Sequence, residues 1–151
     1  MSAFRANLPP PTVELEFAAH KLECALSGGA LSNARHTILV VDDDPSFRDL
    51  YTTALRLAGF DVVTSSDGLT ALQHIEQDPP SLIILDLNMP CVDGWSVLQE
   101  LGAHESTRAI PVIVVTGADV NKATLQAQAI VRKPATPDQV LPLIDRVLPV
   151  V

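Results

Sequence analysis

The feature that most constrains the fold is a series of short apolar segments, each followed at once by a polar residue. These segments occupy residues 38–41, 62–63, 82–85, 112–115 and 130–131. The long ones are apolar at every position, which is typical of strands buried on both faces. Amphipathic stretches between them predict helices at residues 46–58, 68–77, 94–103 and 137–148, and a weak Ala/Gln-rich helix at 119–128. This alternation predicts an α/β fold with a doubly wound, five-stranded parallel sheet.

The polar residues at the predicted strand ends are the candidate site. They are Asp42-Asp43-Asp44 after the first strand, Asp86 after the third, Thr116 after the fourth and Lys133 after the fifth. In open α/β sheets, ligands bind beyond the carboxyl ends of the strands, where the strand order reverses. With the flavodoxin-like order 2-1-3-4-5, the first and third strands are neighbours, so their acids would share one crevice. Thr116 and Lys133 would then lie at its rim.

This set of side chains suits phosphoryl chemistry on a carboxylate. Clustered carboxylates repel one another unless a cation lies among them, and all-oxygen ligands favour Mg²⁺. Lys133 would add a positive charge and Thr116 a hydroxyl donor. Phosphoryl transfer depends mainly on positioning and on neutralising charge at the phosphoryl oxygens. Asp86, the central carboxylate, is then the candidate nucleophile.

Four motifs stand in order at the predicted strand ends: ILVVDDDP at 38–45, DLNMP at 86–90, VTG at 115–117 and RKP at 132–134. Together they resemble the receiver domain of two-component response regulators, over about residues 37–149. The resemblance implies a phosphorylation-dependent signalling switch in a phosphorelay. The protein would not be a turnover enzyme, but it would catalyse its own phosphorylation and dephosphorylation.

The resemblance also implies the ligands of a Mg²⁺ ion. Asp86 is expected to be the phosphoacceptor. Asp43 and Asp86 are expected to bind Mg²⁺ directly, with the backbone carbonyl of Asn88 as a third protein ligand. Asp42 is expected to hold a metal-bound water.

Roles for the residues around the phosphoryl group follow from the same resemblance. Thr116 is expected to move and bind a phosphoryl oxygen. Lys133 is expected to pair first with the acceptor and then with the phosphate. Gly117 would leave access to the acceptor, and the Lys133–Pro134 peptide bond is expected to be cis.

The expected partners are proteins. A sensor histidine kinase or a phosphotransfer protein would donate the phosphoryl group. No attached output domain is expected after Val151, so output is expected to pass through another, unidentified protein. The net charge of −8 lies entirely in residues 37–151, which argues against direct binding of nucleic acid. Two cysteines, no secretory signal and no long apolar segment predict a cytoplasmic protein without membrane insertion.

Three features depart from the resemblance. The segment between Thr116 and Lys133 is short, which predicts a shortened fourth helix. Ile130 stands where an aromatic residue is common, which questions the usual switch readout. Residues 1–36 form an N-terminal extension with a possible helix at 12–27, and residues 37–151 form the receiver-like domain.

Two other functional classes compete with this one. A protein-interaction adaptor with this fold, not regulated by phosphorylation, is favoured by Ile130 and by the short segment before it. The complete Asp, Thr and Lys set argues against it. A haloacid-dehalogenase-like phosphatase needs a second acid where Asn88 stands. A small GTPase needs a G-x-x-x-x-G-K-[ST] loop, which the sequence lacks.

Overall fold

The computed structural model describes residues 35–148 of the 151-residue chain. The extension predicted for residues 1–36, with its helix at 12–27, lies outside the described residues except for Arg35 and His36. The described part is a five-stranded parallel sheet of order β2-β1-β3-β4-β5. This confirms the predicted doubly wound α/β fold and its strand order. No helix in residues 35–148 is long and apolar enough to cross a bilayer.

The first three strands of the chain end level with one another, and the last two run two residues further. The strands are β1 (Thr37–Val41), β2 (Asp61–Ser65), β3 (Leu82–Leu85), β4 (Val112–Thr116) and β5 (Ala129–Arg132). Val41 pairs with Leu85, so Asp42 and Asp86 leave neighbouring strands at the same level. The backbone N–H of Asp86 still donates to the carbonyl of Val41 at 2.9 Å, which extends the ladder into the site.

Four helices cover the two faces of the sheet: α1 (Pro45–Leu57), α2 (Gly68–Gln77), α3 (Gly94–Ala103) and α4 (Pro137–Val147). Three begin at an aspartate whose carboxylate accepts a backbone N–H of the first turn: Asp44 for α1, Asp67 for α2 and Asp93 for α3. Such caps satisfy donors that have no partner within the helix. Each cap therefore fixes where its helix starts beside the carboxyl ends of the strands.

Alternate residues of each strand lie on opposite faces of the sheet and pack in two separate cores. On one face, α1 and α4 pack on the sheet, and the buried residues are Ile38, Val40, Tyr51, Leu55, Leu82, Ile84, Ile113, Val115, Val140, Ile144 and Leu148. On the other face, α2 and α3 cover a cluster that includes Leu39, Val41, Ala71, Ile75, Ile83, Leu85, Val97, Leu101 and Val114. The central strands are thus buried on both faces, as their unbroken apolar segments predict.

The segment between β4 and β5 differs from the helix predicted at 119–128. In the described structure it contains one 3₁₀ turn, Lys122–Thr124, so the shortened helix is reduced to that turn. The side chain of Asn121 caps this turn, since it accepts the backbone N–H of Ala123 at 3.0 Å. Ile130, behind this segment, is only half-buried.

Some predictions of packing were wrong at the level of single residues. The apolar residues at positions 47, 50, 51, 54 and 57 predict the packed side of α1. Tyr51 is buried as predicted, but Leu50 and Leu57 are 53% and 84% exposed. Leu55 is buried instead, so the packed side is rotated toward that residue. The pattern of α3 also predicts packing for Trp95, which is 42% exposed.

The residues at 136–139, Thr-Pro-Asp-Gln, predict a capping box at the start of the last helix, and this prediction is wrong. Thr136 occupies the N-cap position, but its side chain makes no capping hydrogen bond. Pro137 does occupy the first turn, and the helix continues through Pro142 to Val147. Because proline has no N–H, that helix lacks one backbone hydrogen bond in its interior.

Gly94 lets α3 begin directly against the backbone that follows β3. Its N–H donates to the carbonyl of Leu87 at 3.1 Å. A Cβ on Gly94 would lie 2.2 Å from the carbonyl oxygen of Asp86 and 2.7 Å from the Cα of Leu87. These are backbone atoms, so they cannot move aside as a flexible side chain would.

We therefore expect Gly94→Ala to lower the free energy of unfolding by about 1–3 kcal/mol. The higher helix propensity of alanine, worth up to about 1 kcal/mol, offsets only part of the clash. Gly117→Ala is the matched control, because nothing lies within 4 Å of a Cβ built on Gly117. Denaturant unfolding of both variants measures the difference. Equal stability of the two would show that the backbone contact at Gly94 imposes no constraint.

Candidate functional site

Three carboxylates meet at the carboxyl edge of the sheet. Oxygens of Asp42, Asp43 and Asp86 all lie within 4.8 Å of one another. Asp42 is fully buried and Asp86 is 5% exposed, whereas Asp43 is exposed to solvent. The structure thus brings together the acids that follow β1 and β3. Asp42 and Asp86 lie buried in the site, and Asp43 lies where the site opens to solvent.

Short backbone turns hold the buried acids. Oδ1 of Asp42 accepts the N–H of Asp44 at 2.9 Å, and Oδ1 of Asp86 accepts the N–H of Asn88 at 3.2 Å. The guanidinium of Arg48 donates to the carbonyl of Asp42 at 2.7 Å. Asp44, the third acid of the triplet, caps α1 through Ser46 and has a structural role.

Lys133 supplies the positive charge that faces the buried acids. Its Nζ lies 2.6 Å from Oδ2 of Asp42 and 3.3 Å from Oδ2 of Asp86. Burial raises the pKa of Asp42 more than the hydrogen bonds from Lys133 and Asp44 lower it. Partial burial by itself would lower the pKa of Lys133, but the hydrogen bonds and charges of Asp42 and Asp86 together outweigh it and raise that pKa. The lysine is therefore held fully charged at neutral pH.

Thr116 ends β4 beside this group. It is fully buried, and its Oγ1 accepts the N–H of Ala118 at 3.2 Å, which leaves the hydroxyl proton free to be donated. The N–H of Lys133 donates to the carbonyl of Thr116 at 2.9 Å, so the two residues share one backbone link. The Lys133–Pro134 peptide bond is cis, as expected.

An aromatic pair from α1 lies against Lys133. The Nζ of Lys133 is 4.6 Å from the ring centroid of Phe47, and that ring stacks on Tyr51 with centroids 4.1 Å apart. The hydroxyl of Tyr51 donates to the carbonyl of Ala135 at 3.0 Å. Burial, together with the negative charge of Asp42, raises the pKa of Tyr51 to about 12. The phenol therefore stays protonated, and keeps its hydrogen bond, across the physiological pH range.

Sequence reasoning missed this pair as part of the site. It placed Phe47 and Tyr51 on the packed side of a helix, without a role at Lys133. A signal was present: aromatic residues are only 4% of the sequence, yet two lie four residues apart immediately after the Asp triplet. The structure adds Arg48 and Gly94 to the residues that shape the site, and neither was predicted.

The donor set fits a hard divalent cation. The carboxylates of the cluster offer oxygen ligands, which Mg²⁺ prefers. Three ionised carboxylates opposite the single ammonium of Lys133 leave two uncompensated negative charges at the site. A divalent ion would balance this charge, and the exposed side of Asp43 offers a route for its entry.

Comparison with known proteins gives the same family by sequence. A family model of the response regulator receiver domain matches residues 38–145. The chain is 36% identical over 119 residues to a probable transcriptional regulator, ycf27, of Guillardia theta, which covers 76% of this chain and 46% of that protein. It is 44% identical over 79 residues to the DNA-binding dual master transcriptional regulator RpaA of Synechocystis sp., which covers 52% of this chain and 33% of that protein. The chain spans about a third to a half of the length of the curated relatives it matches.

Comparison of the fold with solved structures also finds response regulators. The chemotaxis response regulator CheY4 of Vibrio cholerae matches with a TM-score of 0.69 and 27% identity, over 76% of this chain and 99% of that one. The N-terminal domain of a response regulator receiver protein from Methanoculleus marisnigri matches with a TM-score of 0.61 and 32% identity, over 75% and 96% of the two chains.

The pairing of Lys133 with two buried acids predicts a stability change. Below the ordinary lysine pKa of 10.5 the charged ammonium is fully available for this pairing, and the charge is lost only as pH rises through the raised folded pKa. Lys133→Met would leave buried carboxylates without a partner, so we expect a loss of about 2–4 kcal/mol at neutral pH. The loss should shrink at low pH as Asp42, whose pKa burial raises, takes up a proton, which urea unfolding at several pH values measures.

Arg132→Met is the matched control at the neighbouring position. Arg132 pairs with Asp119 at 3.3 Å, but the two side chains are 68% and 92% exposed. Exposed pairs of this kind contribute little to stability. A Lys133→Met protein as stable as Arg132→Met at neutral pH would refute the role of Lys133 in balancing the buried acids.

Proposed function

The chain belongs to the response regulator receiver family, and we propose that it is a Mg²⁺-dependent switch that accepts a phosphoryl group on Asp86. Phosphorylation-dependent signalling is the general function of that family. The observation that supports Asp86 over Asp42 is its accessibility. Both carboxylates contact the ammonium of Lys133, but Asp42 is fully buried, whereas Asp86 keeps 5% of its surface exposed.

The proposed transfer is a substitution at phosphorus. A carboxylate oxygen of Asp86 attacks the phosphorus of a phosphohistidine, and the new P–O bond gives an acyl phosphate. The P–N bond of the donor breaks, and the imidazole nitrogen keeps the bonding electrons. Oδ1 of Asp86 is held by the N–H of Asn88 and Oδ2 by Lys133, so the carboxylate is oriented before the donor arrives.

The residues around Asp86 would stabilise the charge of the transferred group. Lys133 is 27% exposed at its side chain and can exchange a carboxylate partner for a phosphoryl oxygen. The hydroxyl of buried Thr116 can donate to a second phosphoryl oxygen. Donors fixed in a partly dry site act more strongly than they would in water.

A bound Mg²⁺ would supply positive charge to the phosphoryl oxygens. The carboxylates of Asp43 and Asp86 and the backbone carbonyl of Asn88 would hold it, with Asp42 binding through a water. The exposure of Asp43 and the burial of Asp42 support this division between a direct and an indirect ligand.

The proposed partners are proteins. The phosphoryl donor is a sensor histidine kinase or a phosphotransfer protein, and the output passes to another protein. The net charge of −8 supports a domain that does not itself bind nucleic acid. The exposed free thiol of Cys91 fits the reducing cytoplasm, which we propose as the location.

An adaptor that ignores phosphate is the competing function. The single 3₁₀ turn before β5 and the half-buried Ile130 distinguish the output surface, and these features favour an unusual partner. They do not alter the acidic cluster, Thr116 or Lys133. The assembled site therefore favours the switch over the adaptor.

Incubation with Mg²⁺ and acetyl phosphate, followed by intact-mass measurement, tests the acceptor. We expect the wild-type protein to gain one phosphoryl group and Asp86→Asn to gain none. Asp44→Asn is the matched control, since it removes a neighbouring acid that lies outside the cluster, and asparagine caps a helix about as well as aspartate. An unmodified wild-type protein, or an Asp86→Asn protein modified to the same extent, would favour the adaptor.

The metal ligands are tested by Mg²⁺ affinity, measured calorimetrically without any phosphoryl donor. We expect Asp43→Asn to weaken binding by about tenfold or more, since the loss of a direct ligand costs at least about 1.4 kcal/mol. Asp44→Asn should bind Mg²⁺ nearly as the wild type does. Comparable weakening in both variants would indicate general attraction by the acidic triplet instead of direct ligation by Asp43.

A further inference from the structure

Lys133 must be aimed at the acceptor from an edge of the sheet. It follows β5, an edge strand whose residues are half-buried or exposed. A lysine side chain loses about 2 kcal/mol of rotamer entropy when it is fixed. Its two carboxylate contacts belong to residues that would also engage the metal and the phosphoryl group. A contact independent of those acids is needed to keep the ammonium in place throughout the reaction.

The aromatic pair of α1 provides such a contact. The ring of Phe47 lies 4.6 Å from Nζ of Lys133, within the range of cation–π attraction. Phe47 is half-buried, and its other neighbour is the fully buried ring of Tyr51, stacked at 4.1 Å. The stacked ring of Tyr51 thus restrains the orientation of the Phe47 ring.

The hydroxyl of Tyr51 restrains the backbone that carries Lys133. It donates to the carbonyl of Ala135, two residues beyond Lys133, at 3.0 Å. The contact joins residues 84 positions apart in the sequence, so it ties the start of α1 to the loop after β5. One aromatic ring therefore contacts the charged end of the lysine, while the second anchors its loop.

We propose that Phe47 and Tyr51 are positioning residues that hold the ammonium of Lys133 at the phosphoacceptor, an inference that rests on the proposed function of Asp86. Phe47 acts through its ring face on Nζ, and Tyr51 acts through its stack on Phe47 and its bond to Ala135. Neither residue touches the reacting atoms. Their effect is to reduce the freedom of Lys133 before and during transfer.

Ordinary packing of Phe47 is the alternative explanation, and two substitutions distinguish it from a positioning role. A purely structural Phe47 would need apolar volume, which leucine also provides. A positioning Phe47 needs a π face, which tyrosine preserves and leucine removes. Phe47→Leu and Phe47→Tyr therefore form a matched pair, and Tyr51→Phe removes only the hydroxyl bond to Ala135.

The first measurement is the rate of phosphorylation by acetyl phosphate at saturating Mg²⁺. We expect Phe47→Leu to lower the maximal rate about threefold to tenfold, as suits a partly exposed cation–π contact. Its Mg²⁺ affinity should not change. Phe47→Tyr should restore the rate, and Tyr51→Phe should lower it. Leu50→Ala, at an exposed position on the same helix, should behave as the wild type does.

The second measurement does not need phosphorylation. The sequence has only three lysines, Lys21, Lys122 and Lys133, so the side-chain ammonium signal of Lys133 can be assigned by heteronuclear NMR with Lys133→Met as the reference. In the wild type, the Phe47 ring should shift this signal upfield, and the ammonium protons should exchange slowly with water. Phe47→Leu should remove the ring shielding and accelerate the exchange, and Phe47→Tyr should retain both.

The outcomes separate the two proposals. A wild-type protein that is not phosphorylated, but whose Lys133 signal responds to Phe47→Leu, refutes the acceptor function and supports the positioning of Lys133. A Lys133 signal unchanged in Phe47→Leu overturns the positioning role. So does a loss of rate that Phe47→Tyr fails to restore, or one that is matched by an equal loss of Mg²⁺ affinity and stability.

Discussion

The ion pair between Lys133 and the buried acids is the interaction on which the rest of the site depends. Asp42 and Asp86 leave adjacent strands at the same level, so their carboxylates are forced together inside the protein. Buried charges of one sign are costly, and a single ammonium that contacts both offsets much of that cost. The sheet order matters for this reason. It places β1 beside β3 to gather the acids, and it leaves β5 near enough for a long lysine side chain to reach them.

The fold and the acids of the site could be predicted because they depend on local sequence. Unbroken apolar segments identify buried parallel strands, and a residue directly after such a strand has only one edge of the sheet to occupy. Contacts that depend on helical phase or on distant partners could not be predicted in this way. The rotated phase of α1, which exposes Leu50 and buries Leu55, depends on how the whole helix packs. The hydrogen bond from Tyr51 to Ala135 joins two segments that no local pattern connects.

The segment between β4 and β5 shows the limit of propensity arguments. Ala and Gln favour a helix, but between Thr116 and Ala129 the chain forms only the 3₁₀ turn that Asn121 caps. The two faces of the sheet are therefore covered differently. Helices α1 and α4 cover one face, whereas α2, α3 and this irregular segment, which lies over Ile130, cover the other. The buried positions of β4 are little affected, whereas β5 is left half-buried. The lysine loop therefore cannot take its rigidity from its own strand.

The start of α1 supplies much of that missing rigidity, and it does so against local preference. The first turn of a helix favours acidic side chains, yet that turn of α1 has none within the helix and carries Arg48. The unfavourable position is offset by the bond from Arg48 to the carbonyl of Asp42, within a strongly acidic surrounding. This turn and the next present Phe47 and Tyr51 to the lysine loop. One short stretch of helix thus contacts both the acid turn after β1 and the loop after β5, so a displacement of either one changes the contacts of the other.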